Sequence, residues 1–412
     1  MATAVPGRPR SPLARLRSLP VVLAVLAVLV FVFYQFVLGG LVQPVQDTVG
    51  NWLPLTALNQ CVIWATLAVG LNIVVGYAGL LDLGYVAFWA IGGYVAAWLM
   101  SPFFAQWTVN IFGSALPGQE AGIHINFWLV LVLGAAFCAL AGVIIGAPTL
   151  RLKSDYLALV TLGFGEIIPE FFRNSDNIAG FNLTNGSKGI DPIDPIPTGP
   201  FQYLGLPANL GAFDNTYKFI VYALLAALAI FISLRIRVGR LGRAWLAIRE
   251  DELAASMMGV PLMRTKLAAY AVGAAIGGLG GVAYATLTGG VIPDSFQFSN
   301  SIILLAMVVL GGMGNVWGVL LGALILEWIN AVGLPQFGDS FNSSFGTDIN
   351  FPSYNFLIFG LLLIVMMRFR PEGLVANQRR QLEFHEENEE LAERIDEEIQ
   401  HASTGTVKEA TA

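Results

Sequence analysis

The sequence predicts an all-α integral membrane protein of about ten transmembrane segments with both termini cytoplasmic, and three observations carry that prediction. Hydrophobic residues make up 56% of the chain and charged residues 12%, about half the charge of a soluble domain. Apolar runs close to the length of a bilayer core recur along nearly all of the 412 residues. The basic residues cluster on alternate connections, as the positive-inside rule requires.

The uncharged run Val21–Leu41 follows Arg8, Arg10, Arg15 and Arg17. At about 20 residues it is long enough to span, and it reads as a retained first span rather than a secretory signal. Further spans are predicted over Leu53–Val75, Leu83–Met100, Phe127–Ala147, Tyr156–Pro169, Tyr217–Ile236, Leu267–Thr288, Ile302–Leu310, Val316–Ile329 and Tyr354–Met367. With the basic residues 1–20 inside, 19 of the 22 lysines and arginines fall on the cytoplasmic face. Only Arg173, Lys188 and Lys218 fall outside or at its border, and the inverse topology would misplace nearly all of the charge. The membrane domain is thus 21–370. Its external loop, 173–216, has four prolines between Pro192 and Pro200 and is expected to form a small cap or an unstructured connector. Residues 237–265 form the main cytoplasmic loop. The acidic tail 371–412 is either disordered or a short amphipathic helix carrying Leu391, Ile395 and Ile399.

Two glycine-rich breaks interrupt apolar runs, Gly76 to Gly84 in the first half and Gly311 to Asn315 in the second. Such breaks mark helices that stop inside the bilayer and line a cavity, and the pair admits a weak internal repeat, inverted or parallel. Asn72, Asp82, Glu166, Glu170 and Glu327 lie in or beside apolar runs. An ionisable group at the bilayer centre costs at least about 2.5 kcal/mol, so these residues should face the bundle or its ends. For Asp82, capping beside the glycine turn competes with ligand contact. Glu166, flanked by Gly163 and Gly165, is the better pathway candidate. Gly273, Gly277 and Gly281 repeat every four residues, the spacing of close helix packing. Cys61 and Cys138 lie in apolar runs and read as buried thiols, and the three histidines have no metal-ligand spacing. No phosphate-binding Gly-x-x-x-x-Gly-Lys-Ser/Thr loop is present.

The segment from Arg240 to Pro261 mixes charge with small residues. A helix over Ala244–Met258, stopped by Gly259 and Pro261, is predicted to lie across the cytoplasmic face. The run Leu253-Ala254-Ala255-Ser-Met-Met-Gly259 resembles the EAA-type coupling loop of ABC importer permeases, with the glutamate displaced to Glu252. Four further blocks occur in order, beginning at Gly70, Leu157, Gly242 and Val309: GLNIVVGYAGLLDLGYVAF, LALVTLGFGEI, GRAWLAIREDE and VLGGMGN. Together they resemble the LivM-type permease of branched-chain amino-acid ABC importers.

That resemblance implies a permease subunit moving hydrophobic amino acids by alternating access across a prokaryotic plasma membrane. It implies four partners: a LivH-like permease, two ATP-binding subunits that use ATP and Mg, and an extracytoplasmic amino-acid-binding protein. This chain would bind no cofactor, meet no nucleic acid and catalyse nothing itself. It further implies coupling residues Arg249, Glu250, Asp251, Glu252, Ala254, Ala255 and Gly259, and translocation-pathway candidates Asn72, Tyr77, Asp82, Thr161, Glu166 and Asn315. Within the family, a permease for urea or short amides shares these blocks. Outside it, an ion-coupled secondary transporter would use Asp82 and Glu166 as ion sites.

Overall fold

The computed structural model describes residues 43–370 and 373–375, apart from 117, 119, 153 and 198–214. The expected first span, the N-terminal arginines and nearly all of the acidic tail lie outside the described residues.

The chain is mostly helical. A short helix, α1 (Gln43–Trp52), leads to α2 (Leu55–Asn72), which a π-helical turn extends through Ile73–Tyr77. An irregular stretch then gives way to α3 (Val86–Leu99). Helices α4 (Phe127–Thr149), α5 (Ser154–Arg173) and α6 (Asn215–Val238) follow. Two short helices, α7 (Arg240–Glu250) and α8 (Glu252–Met257), precede the long α9 (Leu262–Thr288). The chain continues through α10 (Phe298–Gly311), α11 (Val316–Trp328), α12 (Leu334–Phe345) and α13 (Asn355–Phe369). Seven of the described helical stretches are long and apolar enough to cross a membrane, and Val86–Leu99 is a shorter apolar helix. Helix α5 has 20 residues but carries Asp155, Glu166, Glu170 and Arg173.

Glycine decides how the centre packs. A Cβ on Gly273 would stand 2.5 Å from Val74 of α2, and one on Gly280 the same distance from Leu67. On the other side of α9, a Cβ on Gly278 would lie 2.7 Å from the Cys138 sulfur of α4. Gly281 packs on the α3 backbone at Trp89 and Gly93. The predicted packing role of the Gly273, Gly277 and Gly281 stripe is what the structure has: helix backbones touch because no side chain separates them. The paired positions run in opposite directions for α2 and α4 against α9, and in the same direction for α3.

One departure from an all-helical chain lies at the end of the bundle away from residues 237–265. Strands β1 (Met100–Ser101), β2 (Val109–Ile111) and β3 (Ile123–Ile125) form a small sheet in the order β1-β3-β2. Residues 174–197, part of the loop 173–216, fold over it. Ile190 pairs with Val291, Asp194 N donates to the Met100 carbonyl, and Trp98 Nε1 donates to the Leu183 carbonyl at 2.8 Å. His124 and Asp194, both buried, join β3 to this cap at 2.8 Å. Burial pushes the Asp194 carboxyl above its ordinary range, and contact with His124 offsets part of that rise.

Candidate functional site

Five of the six pathway candidates gather in two places. The first is the end of the bundle that carries residues 237–265. Helix α7 buries Gly242, Trp245 and Ile248, a stripe spaced three residues apart, and Trp245 Nε1 donates to the Thr265 carbonyl at the base of α9 at 2.7 Å. At Asp251 the backbone turns extended, φ −152°, and the side chain accepts from Leu253 N and Ala254 N, starting α8 afresh. The single helix expected over Ala244–Met258 is therefore two. Aspartate is a poor interior helix residue and a strong N-cap, and here the cap won. Gly259 closes α8 at φ +86°, the left-handed conformation expected of it.

This geometry redistributes the charged contacts expected on the segment. Glu252 pairs with Lys266 at 2.6 Å, and Asp251 is spent on the cap. Ala255 is only 4% exposed, so it is packed into its own chain and cannot seat another subunit. The outward surface of α8 is instead Ala254 with Leu253, Met257 and Met258, which are 66%, 77% and 87% exposed.

Arg249 turns inward. Its Nη1 donates to the Gly76 carbonyl at 2.6 Å, where the π-turn of α2 ends. Its aliphatic stem covers Gly79, which has φ +68° and where a Cβ would lie 2.7 Å from Arg249 Cγ. One turn back, Asn72 Oδ1 accepts from Gly314 N at 2.8 Å, so the two glycine breaks touch. Gly76 admits that contact, because a Cβ there would stand 2.6 Å from Gly314 N. Tyr77 meets Ser233 of α6 at 3.2 Å. Asn315 caps α11 at Trp317 N and donates to the Val375 carbonyl at 3.2 Å.

The second place is the irregular stretch between α2 and α3. Asp82 Oδ1 accepts from Gly84 N at 2.9 Å, a bond that closes the turn before α3 rather than capping the helix, whose N-cap Tyr85 has no side-chain cap. Leu83 N donates to Thr161 of α5 at 3.1 Å, and Val86 N donates to Ser301 of α10 at 3.0 Å. Here the N-termini of α3 and α10, each 14 residues long, come together. Glu166 belongs to neither place, being exposed on the outer face of α5. Of the six pathway candidates, then, Asn72, Tyr77 and Asn315 meet at the first place, Asp82 and Thr161 at the second, and Glu166 stands apart. Glu170 bonds Arg173 and Asn174 near its helix end, whereas Glu327 is fully buried and accepts from Gln60 at 2.8 Å. Ser233 and Ser301 escaped sequence reasoning because a hydroxyl in an apolar run carries no periodic signal. The His124 and Asp194 pair is separated by 70 residues. Among the described residues, no group of three or more His, Cys, Asp or Glu is placed to hold a metal.

Residues 53–367 match the family described as the branched-chain amino acid transport system / permease component. The chain belongs to this family. It is 36% identical over 335 residues to the high-affinity branched-chain amino acid transport system permease protein LivM of Escherichia coli, covering 78% of this chain and 69% of that protein. It is 28% identical over 145 residues to the LivH permease protein of the same organism, covering 35% of this chain and 46% of that one. It is also 30% identical over 242 residues, 58% of this chain and 61% of the relative, to the fructose import permease protein FrcC of Rhizobium meliloti. No solved structure matches. As a permease component the chain is a multi-pass membrane protein, and its relatives are transport subunits.

Proposed function

We propose that this chain is the LivM-type permease subunit of an ATP-driven importer of branched-chain amino acids in a prokaryotic plasma membrane. The observation that carries the reading is the contact between Arg249 and Gly76, which joins the segment resembling a coupling loop to the junction of two broken helices. The identity to LivM over most of the chain supports the substrate class. In this reading a LivH-like permease completes the membrane unit, two ATP-binding subunits dock on α7 and α8, and an extracytoplasmic binding protein delivers substrate to the capped end. Both termini are cytoplasmic, and the described helices together with Val21–Leu41 make ten crossings. The two units α2–α3 and α9–α10, each a long helix followed by a 14-residue one, form an inverted repeat. Closure of the ATP-binding pair pushes α7 and α8, Arg249 moves Gly76, and the two breaks shift together between states that expose the path on alternate sides.

The test is uptake into proteoliposomes containing the complete transporter with its binding protein. Leucine uptake that depends on ATP supports the proposal. Uptake of urea or fructose in place of leucine would retain the permease and reject the substrate.

A further inference from the structure

Helix α5 seats one face on the bundle, and among the described residues nothing covers the other. Leu157, Thr161 and Gly165 point into the bundle, Thr161 to Leu83 N and Gly165 against Gly84. On the far side Leu159 and Ile167 are 66% and 60% exposed, Glu166 is exposed, and a Cβ on Gly163 would meet nothing within 4 Å. The outward positions of α4 and α13, such as Phe137, Ile144, Leu361 and Ile364, are apolar, which suits lipid. The α5 face differs because it carries a carboxylate. Glu166 lies about 18 Å along the helix from Ser154 at 1.5 Å per residue, so a crossing α5 would hold it within the hydrocarbon, where lipid tails cannot solvate it. Gly163 beside it lets another backbone approach closely. Through Thr161 and Gly165 the same helix also borders the point where the N-termini of α3 and α10 converge.

We propose that this face is where a second, LivH-like permease subunit closes on the chain, and that Glu166 lines the path between the two and receives the ammonium end of a zwitterionic amino acid. The idea rests on the permease reading above. Similarity to both permease proteins of one E. coli transport system favours a related but different chain as the occupant. A second copy related by a two-fold axis would bring another Glu166 toward the first, and two carboxylates sharing a water-poor site repel.

The test uses the assembled transporter in membranes. A photoreactive phenylalanine replaces Gly163, or Ile144 on α4 as a lipid-facing control. The expected result is an adduct from position 163, identified by mass spectrometry as this chain joined to the LivH-like permease, and none from position 144. Adducts with a second copy, or with lipid alone, overturn the interface. In the same complex, Glu166→Gln should lower leucine uptake at least tenfold with unchanged adduct yield, and Glu166→Asp should recover part of it. Full uptake by Glu166→Gln overturns the path role. If the unmodified complex moves no amino acid yet the adduct forms, the substrate reading fails while the interface stands.

Discussion

Arg249 Nη1 lies 2.6 Å from the Gly76 carbonyl oxygen, a bond spanning 173 residues between the α7 helix and the end of the π-turn of α2. The π-turn leaves carbonyls at the helix end without an ordinary i+4 partner, and the guanidinium satisfies one of them with a charge-assisted bond. Because Asn72, one turn earlier, holds Gly314 N, a displacement of Arg249 reaches both glycine breaks through two hydrogen bonds.

That junction leaves no room for a methyl group. Gly76→Ala places a Cβ 2.6 Å from Gly314 N, and the expected loss is about 1–3 kcal/mol, the range for overpacking. Gly360→Ala in α13, where a Cβ would meet nothing within 4 Å, should be neutral or slightly stabilising. Thermal unfolding of the detergent-solubilised chain compares the two. Equal midpoints would refute the packing described here.

The outward surface of α8 separates docking from folding. Leu253→Glu with Met257→Glu should leave the chain inserted and folded while abolishing capture of the ATP-binding subunits, because both side chains are exposed. Ala255→Glu should instead lower the folded yield, because it buries an unpartnered carboxylate in the chain's own packing. Size-exclusion profiles and co-purification read the two effects independently. A well-folded Ala255→Glu variant that fails only in docking would restore Ala255 to the contact surface.

The cap should respond to pH through Asp194. Its carboxyl is raised in the folded chain, so the folded state holds the proton to higher pH than the unfolded one. The stabilisation it contributes is present below the ordinary carboxylate pKa and is lost as pH rises through the raised value. The unfolding-midpoint difference between the parent chain and Asp194→Asn should therefore change across that interval and be flat above it. His124→Ala should speed hydrogen exchange of the 190–197 backbone, since His124 joins that segment to β3. Exchange identical to the parent would show that the pair does not hold the cap.

Membrane character, the order of the helices, both glycine breaks and the stop at Gly259 were legible because each leaves a one-dimensional mark: an apolar run, a glycine cluster or a helix stop. The turn bond from Gly84 N to Asp82 matched neither the helix cap nor the ligand contact its glycine neighbours suggested. The inward turn of Arg249 was not legible, because an arginine in a basic loop looks the same whether it faces water or a carbonyl 173 residues away. The burial of Ala255 and exposure of Ala254 depend on helix phase, which the Asp251 cap reset. The small sheet has strands of only two or three residues, too short for alternation to register. Helix α12 was missed because Phe337, Phe341 and Phe345 lie between the predicted spans Val316–Ile329 and Tyr354–Met367, spaced among Gly, Ser, Asn and Asp that break the apolar run.

The most direct measurement follows ATP hydrolysis and leucine uptake together in proteoliposomes containing the assembled transporter with Arg249→Ala or Arg249→Lys. Removing the guanidinium leaves the Gly76 carbonyl without its donor, a loss of about 1–3 kcal/mol at the junction. It leaves the outward surface of α8 untouched. The expected result for Arg249→Ala is retained basal ATP hydrolysis with uptake at least tenfold lower, and partial recovery with Arg249→Lys. Uptake and ATP hydrolysis both at parental rates in Arg249→Ala would contradict the route from α7 to the two glycine breaks.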